Sequence, residues 1–275
     1  MKFVIGCIDT TLSSIAILAH IIGLLSIHLY KKKTTQNIIL ASLSTTEITT
    51  CVFHIVKYWC THKHSPFSHF VNFCKWTSVY EILFMMYILT IDRLVCVLYP
   101  LEFNSLITRR RIKTAVYVSC SASVLLGVLE HCFQTRYLLI CFGLLYGVLV
   151  FVTYTLLIVK VDHSRMLSDP DNAGLRGRRR KEMQVSGLII FSFLLLCCVP
   201  NLIHFFVDSL SDGSKNLLEL VMMLGLIVDP FTYVFFVTHY RQAFVRKVLL
   251  TNSTTSTTVE RERDGVLMDY VHGNR

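Results

Sequence analysis

Charged residues are scarce in this sequence. Lysine, arginine, aspartate and glutamate make up 16% of its 275 residues, whereas hydrophobic residues make up 53%. Charged side chains account for about a quarter of an average soluble domain, so the composition argues against an ordinary soluble fold. The apolar residues lie instead in long runs nearly free of charge, which is the pattern of helices that cross a membrane.

Prolines are also few, five in all, so the apolar runs are rarely interrupted. Each run approaches the roughly 20 residues that a helix needs to cross about 30 Å of hydrocarbon. The sequence therefore predicts an all-α fold, a seven-transmembrane helix bundle. The predicted spans are Val4–Leu29, Ile38–Val56, Trp76–Ile91, Ala115–Leu129, Tyr137–Val159, Val185–Val207 and Leu217–Val237.

Sequence patterns of catalytic chemistry are missing. We find no metal triad, nucleophile elbow or phosphate-binding loop, and the sequence predicts neither an enzyme nor a cofactor or metal site. The net charge of +9 does not indicate a nucleic-acid partner, because the basic residues alternate between the connections of the spans. One set of connections holds fourteen lysines and arginines and the other holds six. By the positive-inside rule, the richer set faces the cytoplasm.

Seven spans place the two chain termini on opposite sides of the membrane. The sequence predicts a multi-pass plasma-membrane protein with its amino terminus outside and its carboxyl terminus inside. Residues 1–250 form the membrane domain. Residues 251–275 form a tail whose low hydrophobicity predicts disorder. Seven serines and threonines crowd residues 251–258; phosphate there would attract basic partners, and a merely solvated tail is the alternative.

Span three ends in Thr90-Ile91-Asp92-Arg93-Leu94. An arginine so close to the hydrocarbon needs a partner, and the adjacent Asp92 supplies one. The pattern resembles the Asp-Arg-Tyr motif of rhodopsin-like (class A) G-protein-coupled receptors. Leu94 departs from it, because the family usually has tyrosine there.

Two further motifs carry the same resemblance. Span seven ends in Asp229-Pro230-Phe231-Thr232-Tyr233, similar to the family's Asn/Asp-Pro-x-x-Tyr motif, and the segment from Tyr240 onward resembles its short amphipathic eighth helix on the membrane surface. Span six contains Cys197-Cys198-Val199-Pro200, similar to the Cys-Trp-x-Pro hinge, with Cys198 replacing the tryptophan. A proline-kinked helix can swing its inner end, which suits a switch.

The resemblance implies a receptor that transmits binding of an extracellular ligand to a heterotrimeric G protein. The absence of an outer cysteine on span three and of a proline in span five resembles the branch of melanocortin, lysophospholipid, cannabinoid and adenosine receptors. Further implied partners are membrane lipids, with arrestin and kinases acting through the tail. A non-signalling scaffold or decoy and a proton-coupled transporter are the alternatives. The implied switch residues are Asp92, Arg93, Tyr154, Pro200, Asp229, Pro230 and Tyr233.

The resemblance also implies a buried polar network of His20, Glu47 and Asp229. Two buried carboxylates do not readily both ionise, so a shared proton, an imidazolium partner or a bound cation is expected. The family binds sodium at this place. Ile82 and Gly225 replace the polar neighbours that sodium normally has there, and we therefore favour a shared proton.

Lys75 lies eighteen residues before Arg93, where amine receptors carry an aspartate that pairs with a cationic ligand. Lys57 resembles another pocket-facing position, and Trp76 and Cys198 complete the predicted pocket. Two ammonium groups favour a small, anionic or lipid-like ligand. The alternative is that both lysines extend to lipid head groups.

Three cysteines on the predicted outer side could form a disulfide, because a bridge persists in an oxidising compartment. They are Cys60, Cys74 and Cys132. Spacing alone does not determine the pairing.

Overall fold

The structure, a computed structural model, describes residues 2–30, 34–60, 66–99, 102–133, 137–166, 187–206, 212–236, 240, 242 and 245. Within these residues the chain is helical, with no β-strand. The predicted all-α fold is therefore confirmed for this part of the chain.

Seven long helices account for nearly all of the described residues. They are α1 (Lys2–Leu29), α2 (Thr35–Cys60), α3 (Pro66–Leu98), α4 (Arg109–Phe133), α5 (Tyr137–Met166), α6 (residues 187–206) and α7 (Asp212–Phe236). A single helical turn, Phe103–Leu106, lies between α3 and α4. The first five predicted spans each fall within one helix. The described parts of spans six and seven are also helical, and the ends of these two spans lie outside the described residues.

The start of α4 corrects one boundary. The sequence placed Arg109, Arg110 and Arg111 in a connection, but these arginines form the first turn of the helix. The Thr108 hydroxyl accepts a hydrogen bond of 3.3 Å from the Arg111 backbone N–H, as a capping residue does. The cap starts the helix several residues before its apolar stretch.

Four helical segments in the described part of the chain are long and apolar enough to cross a membrane. They are Gly6–Leu29, Thr35–Trp59, Arg109–Phe133 and Leu138–Leu156. Gly187–Ile203 forms a shorter apolar helix. Large apolar side chains point outward from these segments; Tyr117 on α4 and Phe151 on α5 are 71% and 72% exposed. These surfaces fit a membrane protein.

Helix α3 lies at the centre of the bundle and contacts α2, α4 and α5. Its buried face carries Ile82, Met85, Met86 and Leu89, whose spacing of three and four residues places them on one side of a helix. Helix α1 packs against α2 and α7, and α6 packs against α7. Three charged residues of this central helix are buried as well: Glu81, Asp92 and Arg93.

Helix α6 contains an irregular turn. Residues Leu194–Cys198 are π-helical, and the backbone N–H of Val199 bonds to the Leu194 carbonyl. Pro200 follows and cannot donate to the helix. The Asn201 side-chain amide donates a 2.8 Å hydrogen bond to the Cys197 carbonyl, so a side chain supports the disrupted turn. Such π-turns are frequent at functional sites.

Several predicted features lie outside the described residues. They are the tail at 251–275, most of the connection before α6, most of the predicted eighth helix and the Tyr233 side chain. Tyr240 is described: it is buried, its hydroxyl donates a 2.6 Å hydrogen bond to Asn37 Oδ1, and its ring packs edge-on against Tyr30. Tyr240, four residues after the end of α7, is thus held where α1 ends and α2 begins.

Candidate functional site

A cavity of about 190 Å³ opens where α2 ends and α3 and α7 begin. Four predicted pocket residues line it: Lys57, Lys75, Trp76 and Cys198. The Lys75 ammonium lies 5.9 Å from the centre of the Trp76 ring. The structure thus brings these four residues together from α2, α3 and α6.

The charge of this cavity is less one-sided than the sequence predicted. Lys57 and Lys75 approach each other closely enough to repel. Glu219 on α7 lines the same cavity and acts electrostatically on Lys75. His54 also lines the cavity, and its Nδ1 lies 3.1 Å from Asp9 Oδ2 on α1. The cavity therefore presents a carboxylate as well as ammonium groups.

Glu219 was missed by the sequence reasoning, although a signal for it existed. Lys57 was predicted because it follows Glu47 by ten residues along span two. Glu219 precedes Asp229 by the same ten residues, which places it about three helical turns away on the antiparallel α7. Counting from the second buried carboxylate would have found it.

Midway along the bundle, four helices contribute to one buried polar group, which we call the four-helix cluster: His20, Glu47, Ser192 and Asp229. His20 Nε2 lies 2.8 Å from the Leu226 carbonyl, and His20 Nδ1 lies 3.3 Å from Glu47 Oε2. The Ser192 hydroxyl donates a 2.9 Å hydrogen bond to Asp229 Oδ1. The Glu47 and Asp229 carboxyls also contact each other. His20 and Glu47 are 0% exposed and Asp229 is 1% exposed.

The geometry around His20 determines where a proton lies. A carbonyl oxygen can only accept, so Nε2 donates to Leu226 and carries a hydrogen. Nδ1 faces Glu47 and either accepts from a protonated carboxyl group or donates to a carboxylate as imidazolium. A protonated Glu47 can equally direct its hydrogen to Asp229, whose carboxyl group it contacts. The proton shared by the two carboxyl groups stays a prediction.

A second buried carboxyl group lies between α3 and α4. Glu81 accepts hydrogen bonds from the Ser119 hydroxyl at 3.0 Å, the Ser123 hydroxyl at 2.8 Å and the Cys120 thiol at 3.3 Å. We call these residues the α3–α4 cluster. The sequence reasoning missed it, although Ser119 and Ser123 are four residues apart and so share one face of a helix.

The opposite end of α3 holds the predicted ion pair. Arg93 Nη2 lies 2.9 Å from Asp92 Oδ2, and both residues are buried. Tyr154 on α5 is half-buried and lies within electrostatic reach of Arg93. The Tyr154 hydroxyl occupies the space beside Gly187, where a Cβ atom would stand. Pro200 and Pro230 are buried in α6 and α7.

The predicted disulfide finds no support in the described cysteines. Cys74 on α3 and Cys132 on α4 are both free thiols. The Cys60 side chain lies outside the described residues. Among the residues that are described, no group of three or more histidine, cysteine, aspartate or glutamate side chains is placed to hold a metal ion.

No protein-family model matches the sequence, and no curated protein matches it significantly. The resemblance to rhodopsin-like receptors therefore rests on its motifs alone.

Proposed function

We propose that the chain crosses the membrane seven times and is a rhodopsin-like receptor that passes binding of an outside ligand to a heterotrimeric G protein. One observation carries the proposal: the charged cavity and the Asp92–Arg93 pair lie at opposite ends of α3. Lys75 and Arg93 are eighteen residues apart, about 27 Å along a helix, close to the roughly 30 Å of a bilayer's hydrocarbon. A receptor needs such a separation between ligand site and switch.

Helix α6 supplies a connection between the two ends. Phe193 lines the cavity, and its ring packs edge-on against Tyr146 of α5 at 5.6 Å. The neighbouring Ser192 bonds to Asp229 in the four-helix cluster. A ligand that moves Phe193 therefore also acts on a buried charged group. The π-turn and Pro200 give α6 a place to bend.

The proposed conformational change occurs at the start of α6, the end that lies away from the cavity. Tyr154 touches Gly187, and Arg93 lies near Tyr154. In the proposed active state the start of α6 moves away from α5, and Tyr154 and Arg93 then line a groove for a G-protein helix. In this topology the amino terminus is outside the plasma membrane, and kinases and arrestin act on the tail inside.

The test is an exchange assay in membranes. We expect the wild-type chain to promote nucleotide exchange on at least one class of Gα subunit, and Arg93→Ala to abolish it. Arg110→Ala is the matched control, because Arg110 is exposed at the start of α4. Unchanged exchange in Arg93→Ala would refute the switch assignment. Epitope tags that place both termini on one side of the membrane would refute seven spans.

A non-signalling scaffold or decoy is the second candidate. Leu94 and Cys198 stand where the family has the tyrosine of its Asp-Arg-Tyr motif and the tryptophan of its hinge. A wild-type chain that binds ligand without promoting exchange on any Gα subunit would favour it. A transporter, suggested by the buried Glu47, Asp229 and His20, would instead move protons into vesicles.

A further inference from the structure

We propose that the cavity takes a small zwitterion: a compound that carries one carboxylate and one ammonium group on a short apolar body, as a free α-amino acid does. The inference rests on the proposed function only in taking this cavity as the ligand site. It differs from the anionic or lipid-like ligand that the sequence predicted, because the structure adds a carboxylate to the cavity wall.

The first step is the pair of lysines. Lys57 comes from the end of α2 and Lys75 from the start of α3, and their ammonium groups approach each other. Two like charges in contact repel, and an anion placed against both relieves that repulsion. The α2–α3 wall therefore favours a ligand carboxylate.

The second step is Glu219, which approaches the same cavity from α7. Within the described part of the chain, neither Lys75 nor Glu219 forms an ion pair with another residue, although the two act on each other electrostatically. A partly enclosed carboxylate that forms no ion pair within the described residues favours an ammonium group on the ligand.

The third step is the balance of charge. Lys75 and Glu219 line the cavity with opposite charges, whereas Asp9 is held against His54. A dianion would place a like charge against Glu219, and a simple amine would place a like charge against Lys75. A ligand with separated charges matches Lys75 at one end and Glu219 at the other.

The fourth step is size. The cavity of about 190 Å³ is below the roughly 300–1,000 Å³ of sites for drug-sized ligands. Its deeper wall is apolar, with Ile82, Leu83, Met223 and Leu226 among the lining residues. This volume suits a branched or aromatic side chain and not a peptide or a long acyl chain.

The experiment compares matched probes on the purified full-length chain in detergent, by calorimetry. The zwitterions are L-leucine and L-phenylalanine. Their deaminated analogues are 4-methylpentanoate and 3-phenylpropanoate, and their decarboxylated analogues are 3-methylbutylamine and 2-phenylethylamine. We expect at least one zwitterion to bind roughly ten- to a hundredfold more tightly than both of its analogues, as one charge-assisted contact contributes. Analogues that bind equally tightly, oleate that binds more tightly, or no binding of either zwitterion would overturn the proposal.

Two substitutions assign the ends of the ligand. Glu219→Gln should remove the advantage of the zwitterion over its deaminated analogue, and Lys75→Gln the advantage over its decarboxylated analogue. Glu219→Asp and Lys75→Arg keep the charge and should restore part of each advantage. Glu102→Gln and Lys113→Gln, both at exposed positions away from the cavity, should change neither. An unchanged ratio in Glu219→Gln would overturn the proposal even if the protein binds anions.

The two proposals fail in different ways. If a zwitterion binds as expected but no Gα subunit exchanges nucleotide, the receptor proposal fails and the ligand class stands. If a deaminated analogue binds as tightly as its zwitterion and drives exchange, the ligand class fails and the receptor proposal stands.

Discussion

The four-helix cluster and the α3–α4 cluster both hold buried carboxyl groups, but the partners of these groups differ. In the α3–α4 cluster, Glu81 receives donors from a single neighbouring helix. In the four-helix cluster, Glu47 and Asp229 meet each other and receive only His20 and Ser192 as described partners, from two further helices. The first carboxyl group is surrounded by hydroxyl and thiol donors, whereas the second pair has one serine and one histidine beside it.

This difference in partners determines which helix movements would disturb each cluster. Glu81 bonds within one helix pair, and its donors move with α4. The four-helix cluster joins α1, α2, α6 and α7, so a displacement of α6 changes the distance between Ser192 and Asp229. A cluster that spans a bending helix can act as a switch element, whereas a cluster inside one helix pair can only fix their packing.

The largest expected effect is the loss of stability in Glu47→Leu, compared with the loss in Glu81→Leu. Removing Glu47 leaves His20 Nδ1 without its buried partner and Asp229 with Ser192 alone, and breaking a buried pair costs about 3–5 kcal/mol. Removing Glu81 costs about 1 kcal/mol, because Ser119 and Ser123 already lie 2.8 and 2.9 Å from carbonyls of their own helix. The measurement is the thermal unfolding midpoint in detergent.

Glu47→Gln sharpens this comparison, because it keeps a polar group of the same shape but cannot share an acidic proton. We expect its unfolding midpoint to lie between those of wild type and Glu47→Leu. Equal midpoints for Glu47→Leu and Glu81→Leu would show that the two clusters do not differ in the way described.

The next effect concerns the packing of α7 against α6. A Cβ atom added at Gly225 would lie 2.8 Å from Cys197 Sγ and 3.0 Å from Leu196 Cβ, at the π-turn of α6. We expect Gly225→Ala to cost about 1–3 kcal/mol by overpacking and to lower the unfolding midpoint. Gly143→Ala is the control, because nothing lies within 4 Å of its Cβ position; it should be neutral or stabilising by roughly 0.5–1 kcal/mol. A tolerated Gly225→Ala would show that this contact is loose.

The sequence predicted the parts of this arrangement that repeat along a helix. Long apolar runs predicted the helices, and the resemblance to rhodopsin-like receptors predicted that Glu47 and Asp229 lie together. It did not predict the π-turn before Pro200, because that turn depends on how α6 packs against Gly225 and on the Asn201 side chain. Such contacts between distant segments have no local pattern.

Polar side chains at ordinary positions were missed for a similar reason. Glu81 lies between predicted apolar residues of span three, and nothing in its neighbours indicates that serines of another helix face it. Glu219 was overlooked because the resemblance supplied no motif there, although its spacing from Asp229 was available. Motifs direct attention to positions that a family shares, and the chain's own charges then need to be counted separately.

The smallest expected effect is the difference in stability between Ser192→Ala and Ser119→Ala. Ser192→Ala removes the hydroxyl hydrogen bond to Asp229 Oδ1 and should cost about 1 kcal/mol. Ser119→Ala removes one of two donors to Glu81 Oε1, and the Cys120 thiol remains, so the cost should stay below about 0.5 kcal/mol. The second readout is basal nucleotide exchange: Ser192→Ala should change it because the bond joins α6 to α7, whereas Ser119→Ala should not. If exchange shifts equally in both variants, the four-helix cluster has no special part in the switch.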